Sequence, residues 1–329
     1  MVPAEHTDMI QRIGILTSGG DAPGMNSAIR AVVRSCATKG IACLGIRRGY
    51  NGLINGDMIE LDARSVDGIN SKGGTMLYTA RCEEFKTPEG VEKAAAICRY
   101  RDIDSIIAIG GDGTFRGIGD LSTAGINVIG IPATIDNDIA CTDYTIGFDT
   151  ACNTALESID RLRDTMQSHE RCSVVEVMGH NSGNLAVYVG IACGATAILI
   201  PEKKLNMEKE VFAVMRQNRL RGRNHHIVIV AEGTANANEV AAEIVEATGV
   251  DTRVTVLGHV QRGGSPSARD RVMASMMGVH AVNALIDGKT KRVMCSRNGL
   301  ITDIGIDEAL AMTYALDEEM YDVEKAIIV

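Results

Sequence analysis

The chain reads as an α/β protein with two doubly wound, Rossmann-like domains built on mainly parallel sheets. Short continuous apolar runs carry that expectation: IGIL (13–16), SIIAIG (105–110), NVIGI (127–131), SVVEVM (173–178), AILIP (197–201), HIVIVA (226–231) and RVTVLG (253–258). Unbroken runs of this kind mark strands buried on both faces, as in parallel sheets covered by helices. Helix-like stretches separate them, and so many strands fit two sheets better than one.

In chain order, IGIL leads into TSGGDAPG (17–24) and a helix from about Pro23 to Lys39. Pro23 suits its first turn and Gly40 its C′ position. IACLGIR (41–47) is the next strand. Thr87 and Pro88 fit N-cap and N1 of a helix through about Tyr100. No low-complexity linker marks a boundary. A break is expected near residues 139–150, and the strand and glycine-rich loop at 253–265 point to a return into the first domain. The expected division is therefore 1–147 plus about 261–310, against about 148–260 plus 311–329.

Composition narrows the function classes. A chain of 329 residues, 45% hydrophobic and 23% charged, can bury the cores of one large or two ordinary domains. A net charge of -9 argues against nucleic acid as a partner. A site for an anion must then be made locally, from arginines and backbone N–H groups. Nine scattered cysteines with no CxxC spacing fit a reduced, cytoplasmic chain that uses them for packing. The N-terminal MVPAEHTDMIQ lacks the apolar core of a signal peptide, and no apolar run approaches the roughly 20 residues of a membrane span.

Three glycine-rich loops follow strands, where open α/β folds bind ligands. TSGGDAPG offers Gly19 and Gly20 and opens a helix, an arrangement that favours anions, but it lacks the Lys-Ser/Thr of a P-loop. GGDGTFRG (110–117) has Gly111, Gly113 and Gly117 spaced like a dinucleotide fingerprint with one extra residue, and an acid, Asp136, further on. GHVQRGGSP (258–266) carries His259 and Arg262. A tight strand-to-helix turn would explain any one of them; three together favour a phosphate ligand. Asp112 separates two chemistries: a pyrophosphate turn needs no acid inside its glycines, whereas a Mg–nucleotide site does. IPATIDND (131–138) adds Thr134, Asp136 and Asp138 at the tip of a strand. In extended chain the two aspartates would lie about 6–7 Å apart on one side. Their repulsion would then raise one pKa.

RIGILTSGGDAPGMN, LYTARCEEFKT, IAIGGDGT, PATIDNDI, TDYTIGFDTA, SHERCSVVEVMG, ILIPE, VAEG and TRVTVLGHVQRGGSP together resemble the bacterial ATP-dependent 6-phosphofructokinases, in the family's order from about residue 12 to 300. The resemblance implies the phosphofructokinase fold, an ATP-binding and a sugar-phosphate-binding domain, phosphoryl transfer from Mg–ATP to the 1-hydroxyl of fructose 6-phosphate, and a homotetramer. It implies that Gly20, Arg81, Cys82, Gly111, Asp112, Gly113 and Thr114 meet ATP, with Asp112 holding Mg²⁺ and Arg81 reaching the transferring group. Asp136 would be the general base, Thr134 a donor to the migrating phosphoryl, and Asp138 their neighbour. Met178, Gly179, His180, Glu232, His259 and Arg262 would bind the sugar phosphate, with Arg171 and Arg253 supplied by a neighbouring subunit. Arg30, Arg34, Arg163, Gly194, Arg221, Gly222 and Arg223 match a site for ADP or phosphoenolpyruvate as effectors. Forked guanidinium groups suit phosphate, and phosphoryl transfer needs positioning and charge neutralisation more than covalent chemistry.

The chain departs from the pattern at His180, where the family has arginine, at Thr196, where an acid is usual, and at Ala63, where an arginine is usual. An imidazole is shorter than a guanidinium and only partly protonated at neutral pH, so the expectation is lowered activity, pH-dependent activity, or compensation by another cation. Without the acid, activation by Mg–ADP is in doubt. A pyrophosphate-dependent enzyme would carry an acid at Gly113 and a lysine at Ala133; a non-catalytic regulatory paralogue would have lost Asp112 or Asp136. Other GGDGT kinases share a single motif, and Asp112 speaks against a dehydrogenase.

Overall fold

A computed structural model describes residues 10–327. The chain forms two compact units and passes from one to the other after Thr134, Asp138, Gly147, Gly264 and Thr313.

The first unit comprises residues up to Thr134, then Ile139–Gly147 and Ser265–Thr313. It opens with β1 (Arg12–Thr17), α1 (Met25–Thr38), β2 (Ala42–Ile46), α2 (Gly49–Asn55) and β3 (Met58–Leu61). It continues with α3 (Pro88–Tyr100), β4 (Ser105–Gly110), α4 (Asp112–Thr123), β5 (Asn127–Thr134) and the short β6 (Ile146–Gly147). With β11 (Arg292–Arg297) and β12 (Leu300–Gly305), which come late in the chain, the strand order is β12-β11-β5-β4-β1-β2-β3, with β6 beside β5. β1, β2, β4 and β5 pair in parallel, so their C-terminal ends converge on one edge. Among the described residues, only β3 on β2 and β12 on β11 run antiparallel. The expected caps are present: the Thr87 side chain accepts from Gly90 N–H at 3.1 Å with Pro88 in the first turn, and Gly40 follows α1 with φ +71°. Leu16, Ile106, Phe115 and Val128 anchor an apolar core, with the Tyr50 and Phe85 rings stacked at 4.0 Å.

The second unit comprises Ile135–Asp138, Phe148–Gly264 and Tyr314 onward. Its elements are α5 (Phe148–His169), β7 (Cys172–Val177), α6 (Asn184–Cys193), β8 (Ala197–Leu199), α7 (Ala213–Leu220), β9 (His226–Ala231), α8 (Ala237–Thr248) and β10 (Thr252–Val256). The four strands form one parallel sheet in the order β10-β7-β9-β8. Val174, Val211, Val228 and Ile244 lie at its core. The chain then returns to the first unit for α9 (Ala268–Ile286), β11 (Arg292–Arg297), β12 (Leu300–Gly305) and α10 (Ile306–Ala311), and ends in the second with α11 (Glu318–Ile327). Within the first unit, α9 packs tightly on α1: a Cβ on Gly278 would stand 2.8 Å from that of Ala31.

Two sequence expectations need correction. RVTVLG is not a strand buried on both faces: β10 is an edge strand, with Val256 56% exposed. Strands β3 and β12 escape the apolar-run criterion because they are edge strands whose exposed side interrupts the run; β11 is buried along its centre, but its apolar run is only Val293–Cys295. Among the described residues, no helix is long and apolar enough to cross a membrane.

Candidate active site

In the first unit, the loops after β1 and β4 are fastened to each other. Ser18 N–H donates to Ile109 O at 3.0 Å, and Thr114 Oγ1 donates to Ser18 O at 3.2 Å. Thr114 is 3% exposed, so its side chain is an anchor between the loops. Gly110 is glycine for packing, since a Cβ there would lie 2.3 Å from Thr114 Oγ1 and 2.4 Å from Ser18 O. Gly117 makes room for Tyr50, whose ring would meet a Cβ at 2.6 Å and whose hydroxyl donates to Thr114 O. Its place in a dinucleotide-like spacing therefore has a packing cause.

Gly111 and Gly113 are different. A Cβ at either would meet nothing within 4 Å, and neither has positive φ. Packing and backbone conformation leave glycine unexplained there; close approach of a ligand to bare backbone explains it. Both lie at the start of α4, where the first N–H groups have no partner within the helix. Asp112, half-buried between them, makes no salt bridge with any of the described residues, and burial raises its carboxyl pKa against the opposing influence of Arg116. A half-buried carboxylate short of counter-charge fits a divalent cation. Thr79 Oγ1 donates to Gly19 O at 2.7 Å and Thr17 Oγ1 to Tyr78 O at 3.0 Å, so the segment leading to exposed Arg81 and half-buried Cys82 is tied to the TSGG loop that carries Gly20.

β5 ends at Thr134, whose carbonyl accepts from Thr145 Oγ1 at 2.7 Å. Ala133 is 1% exposed. Beyond Thr134 the backbone bends, and Asn137 is left-handed with φ +48°. The expected extended backbone between Asp136 and Asp138 is thus replaced by a turn. Asp136 is 8% exposed and Asp138 half-buried.

In the second unit, the loops after β7, β9 and β10 meet through polar side chains. Glu232 Oε1 accepts from Gly179 N–H at 3.2 Å and His180 N–H at 2.7 Å. His180 is exposed and left-handed, φ +57°, a costly conformation for a residue with a Cβ. Gln261, fully buried, accepts from Met178 N–H at 2.9 Å and so joins that loop to the segment bearing His259 and Arg262. Arg171 and Arg253 converge on one carboxylate: Asp251 Oδ2 lies 2.7 Å from Arg171 and 3.2 Å from Arg253.

The remaining arginines form two cationic groups, one in each unit. On α1, Arg34 meets Asp67 at 3.0 Å, while the buried Nε atoms of Arg30 and Arg34 have no hydrogen-bond partner among the described residues. Arg34, Ala63, Arg64 and Asp67 line a cavity of about 510 Å³. In the second unit, Arg163 donates to Cys193 O beside left-handed Gly194, and Arg221, left-handed Gly222 and Arg223 follow α7. Burial and the charges of Arg223 and His225 lower the His226 pKa to about 4. Thr196 is 1% exposed, with its hydroxyl 3.4 Å from His226 Nδ1.

The phosphofructokinase family profile matches residues 12–285. An ATP-dependent 6-phosphofructokinase of Clostridium botulinum is 56% identical over 95% of this chain and 98% of its own, and one of Clostridium novyi 52% identical over 97% and 99%. This chain belongs to the phosphofructokinase family. A Saccharomyces cerevisiae phosphofructokinase structure superposes with a TM-score of 0.86 at 34% identity, over 96% of this chain. This chain spans 46% of that yeast chain. In this member of the phosphofructokinase family, Gln261, Asp251, Asn184 and Tyr50 act on the site residues, yet the sequence did not single them out. They touch backbone or other side chains, and no motif spacing betrays such contacts.

Proposed function

We propose that the chain transfers the γ-phosphoryl group of ATP to the 1-hydroxyl of fructose 6-phosphate, giving fructose 1,6-bisphosphate and ADP. The observation that carries this is the GGDGT turn, with Gly111 and Gly113 bare beside half-buried, unbridged Asp112. The Clostridium relatives bear that activity in their names.

In this reading the first unit is the ATP-binding domain. The backbone N–H groups of Gly20, Gly111 and Gly113 meet the phosphates, Arg81 reaches the transferring group and Cys82 borders the nucleotide. Thr114 serves chiefly by fixing the two loops together. Asp112 would hold Mg²⁺, which when bound neutralises phosphate charge. Thr134 donates to the migrating phosphoryl, and Asp136 accepts the proton of the attacking hydroxyl, with Asp138 beside it.

The second unit is the sugar-phosphate-binding domain, through Met178, Gly179, His180, Glu232, His259 and Arg262. Arg171 and Arg253 reach a neighbouring subunit's phosphate in a homotetramer. Arg30 and Arg34 of the first unit, and Arg163, Gly194, Arg221, Gly222 and Arg223 of the second, each contribute binding groups for an anionic effector. With Thr196 turned to His226 and no acid in that place, these groups suit phosphoenolpyruvate better than Mg–ADP. The buried thiols suit a cytoplasmic setting.

A coupled assay of fructose 6-phosphate with ATP or with pyrophosphate tests the reading. Turnover with ATP is expected; turnover with pyrophosphate alone would overturn it.

A further inference from the structure

The turn between Asp136 and Asp138 is held from outside by a side chain that opens α6. Asn184 Nδ2 donates to Asn137 O at 2.6 Å, and Asn184 Oδ1 accepts from the Tyr314 hydroxyl at 2.8 Å. The amide's orientation follows from its partners. A backbone carbonyl can only accept, so Nδ2 must face Asn137, and Oδ1 must then face Tyr314. Tyr314 stays protonated: burial pushes its pKa up to about 12, a hydrogen bond with the Ser182 side chain opposes this, and the carboxylates of Glu202 and Asp138 add to it.

Asn184 itself is firmly placed. Its N–H donates to Ser182 Oγ at 3.2 Å, and the preceding Gly183 N–H donates to Glu202 Oε1 at 2.8 Å. Gly183 sits so close to β8's exit that a Cβ would lie 2.6 Å from Ile200 and 2.7 Å from Glu202 Oε2. The start of α6 is thus a rigid mount, and Asn184 reaches from it to a residue whose left-handed backbone is costly to maintain.

We infer that Asn184 is a positioning residue for the Asp136–Asp138 turn: by holding the Asn137 carbonyl it fixes the peptide joining Asn137 to Asp138, and Tyr314 orients its amide. This rests on the reading of Asp136 as the base. A displacement of about 1 Å at a reacting group can cost about a hundredfold in rate.

Asn184→Leu is expected to lower kcat ten- to a hundredfold with KM for ATP within about twofold. Asn184→Asp keeps an acceptor for Tyr314 but cannot donate to Asn137 O, and should fall with it. Tyr314→Phe should lower kcat about threefold or more, and add nothing in the Asn184→Leu background. A purely structural role predicts a lowered Tm with unchanged kcat per folded enzyme, and that result in Asn184→Leu overturns the inference. If Asn184→Leu does not fold, Tyr314→Phe decides: a kcat drop at constant KM for ATP supports it, and an unchanged kcat overturns it. Absence of ATP-dependent turnover in the unsubstituted enzyme would instead count against the proposed function.

Discussion

The proposed nucleotide loops of the first unit are made of bare backbone, whereas the proposed sugar-phosphate loops of the second are made of charged side chains that already hold partners. Gly111 and Gly113 face empty space, and their loop is fixed by Thr114 and Ser18 behind it. Across the sheet of the second unit, Arg171 and Arg253 share Asp251, and Glu232 clasps Gly179 and His180. One site is a preformed cradle with a charge to be satisfied. The other has its charges already partnered in two places, the Arg171–Asp251–Arg253 cluster where β7 and β10 begin and the Glu232 clasp where β7 and β9 end, so a phosphate must become an added partner.

The largest expected effect tests the unsatisfied charge. Asp112→Asn should lower kcat/KM for ATP about a thousandfold, since charge neutralisation is the main work of phosphoryl transfer. The fold should not suffer. Burial raises the Asp112 pKa above its ordinary 3.8, so the ionised carboxylate costs stability above that pH, and the cost disappears as pH falls below it. The variant's Tm should therefore equal or exceed that of the unsubstituted protein at neutral pH, and the gap should close near pH 3 to 4. A variant less stable at neutral pH would mean that the carboxylate already has a structural partner.

Glycines of the same loop should divide by cause. Gly113→Ala should leave Tm unchanged and raise KM for ATP about tenfold, equivalent to ~1.4 kcal/mol of lost binding. Gly110→Ala puts a Cβ 2.3 Å from Thr114 Oγ1 and should destabilise the fold by about 1–3 kcal/mol or more. Thermal melts with ATP titrations separate them; equal loss of stability in both would remove the ligand-approach argument.

That division also marks what the sequence makes legible. IGIL, SIIAIG and NVIGI disclose the parallel sheet because a strand covered on both faces must be apolar throughout. β10 misleads because its apolar residues sit at an edge, with Val256 exposed. GGDGT discloses candidate ligands because bare backbone requires glycine, but only coordinates separate Gly113, open to approach, from Gly117, which yields to Tyr50. Asp251, Gln261 and Asn184 are illegible for a different reason: each acts through a contact distant in sequence, such as the 83 positions between Met178 and Gln261.

Asp251→Asn tests the Arg171–Asp251–Arg253 cluster. Both arginines lose their anchor, so KM for fructose 6-phosphate should rise about three- to tenfold with KM for ATP unchanged. The pairs are partly exposed, so stability should move by less than about 1 kcal/mol. A lower KM would show that Asp251 competes with the phosphate instead of aiming the arginines.

The smallest expected effect lies at His180. Its backbone is already held by Glu232 in the left-handed conformation, which histidine adopts somewhat more readily than arginine, a small cost against the variant. His180→Arg therefore changes the exposed tip of the side chain and little else. A guanidinium is longer, forked and charged throughout the working range, so it should raise kcat/KM for fructose 6-phosphate roughly three- to tenfold. If turnover and sugar-phosphate affinity stay the same at every pH, the site already has enough positive charge without this position. The second unit's charge network would then be complete as it stands, and the contrast with Asp112 in the first unit would be sharper still.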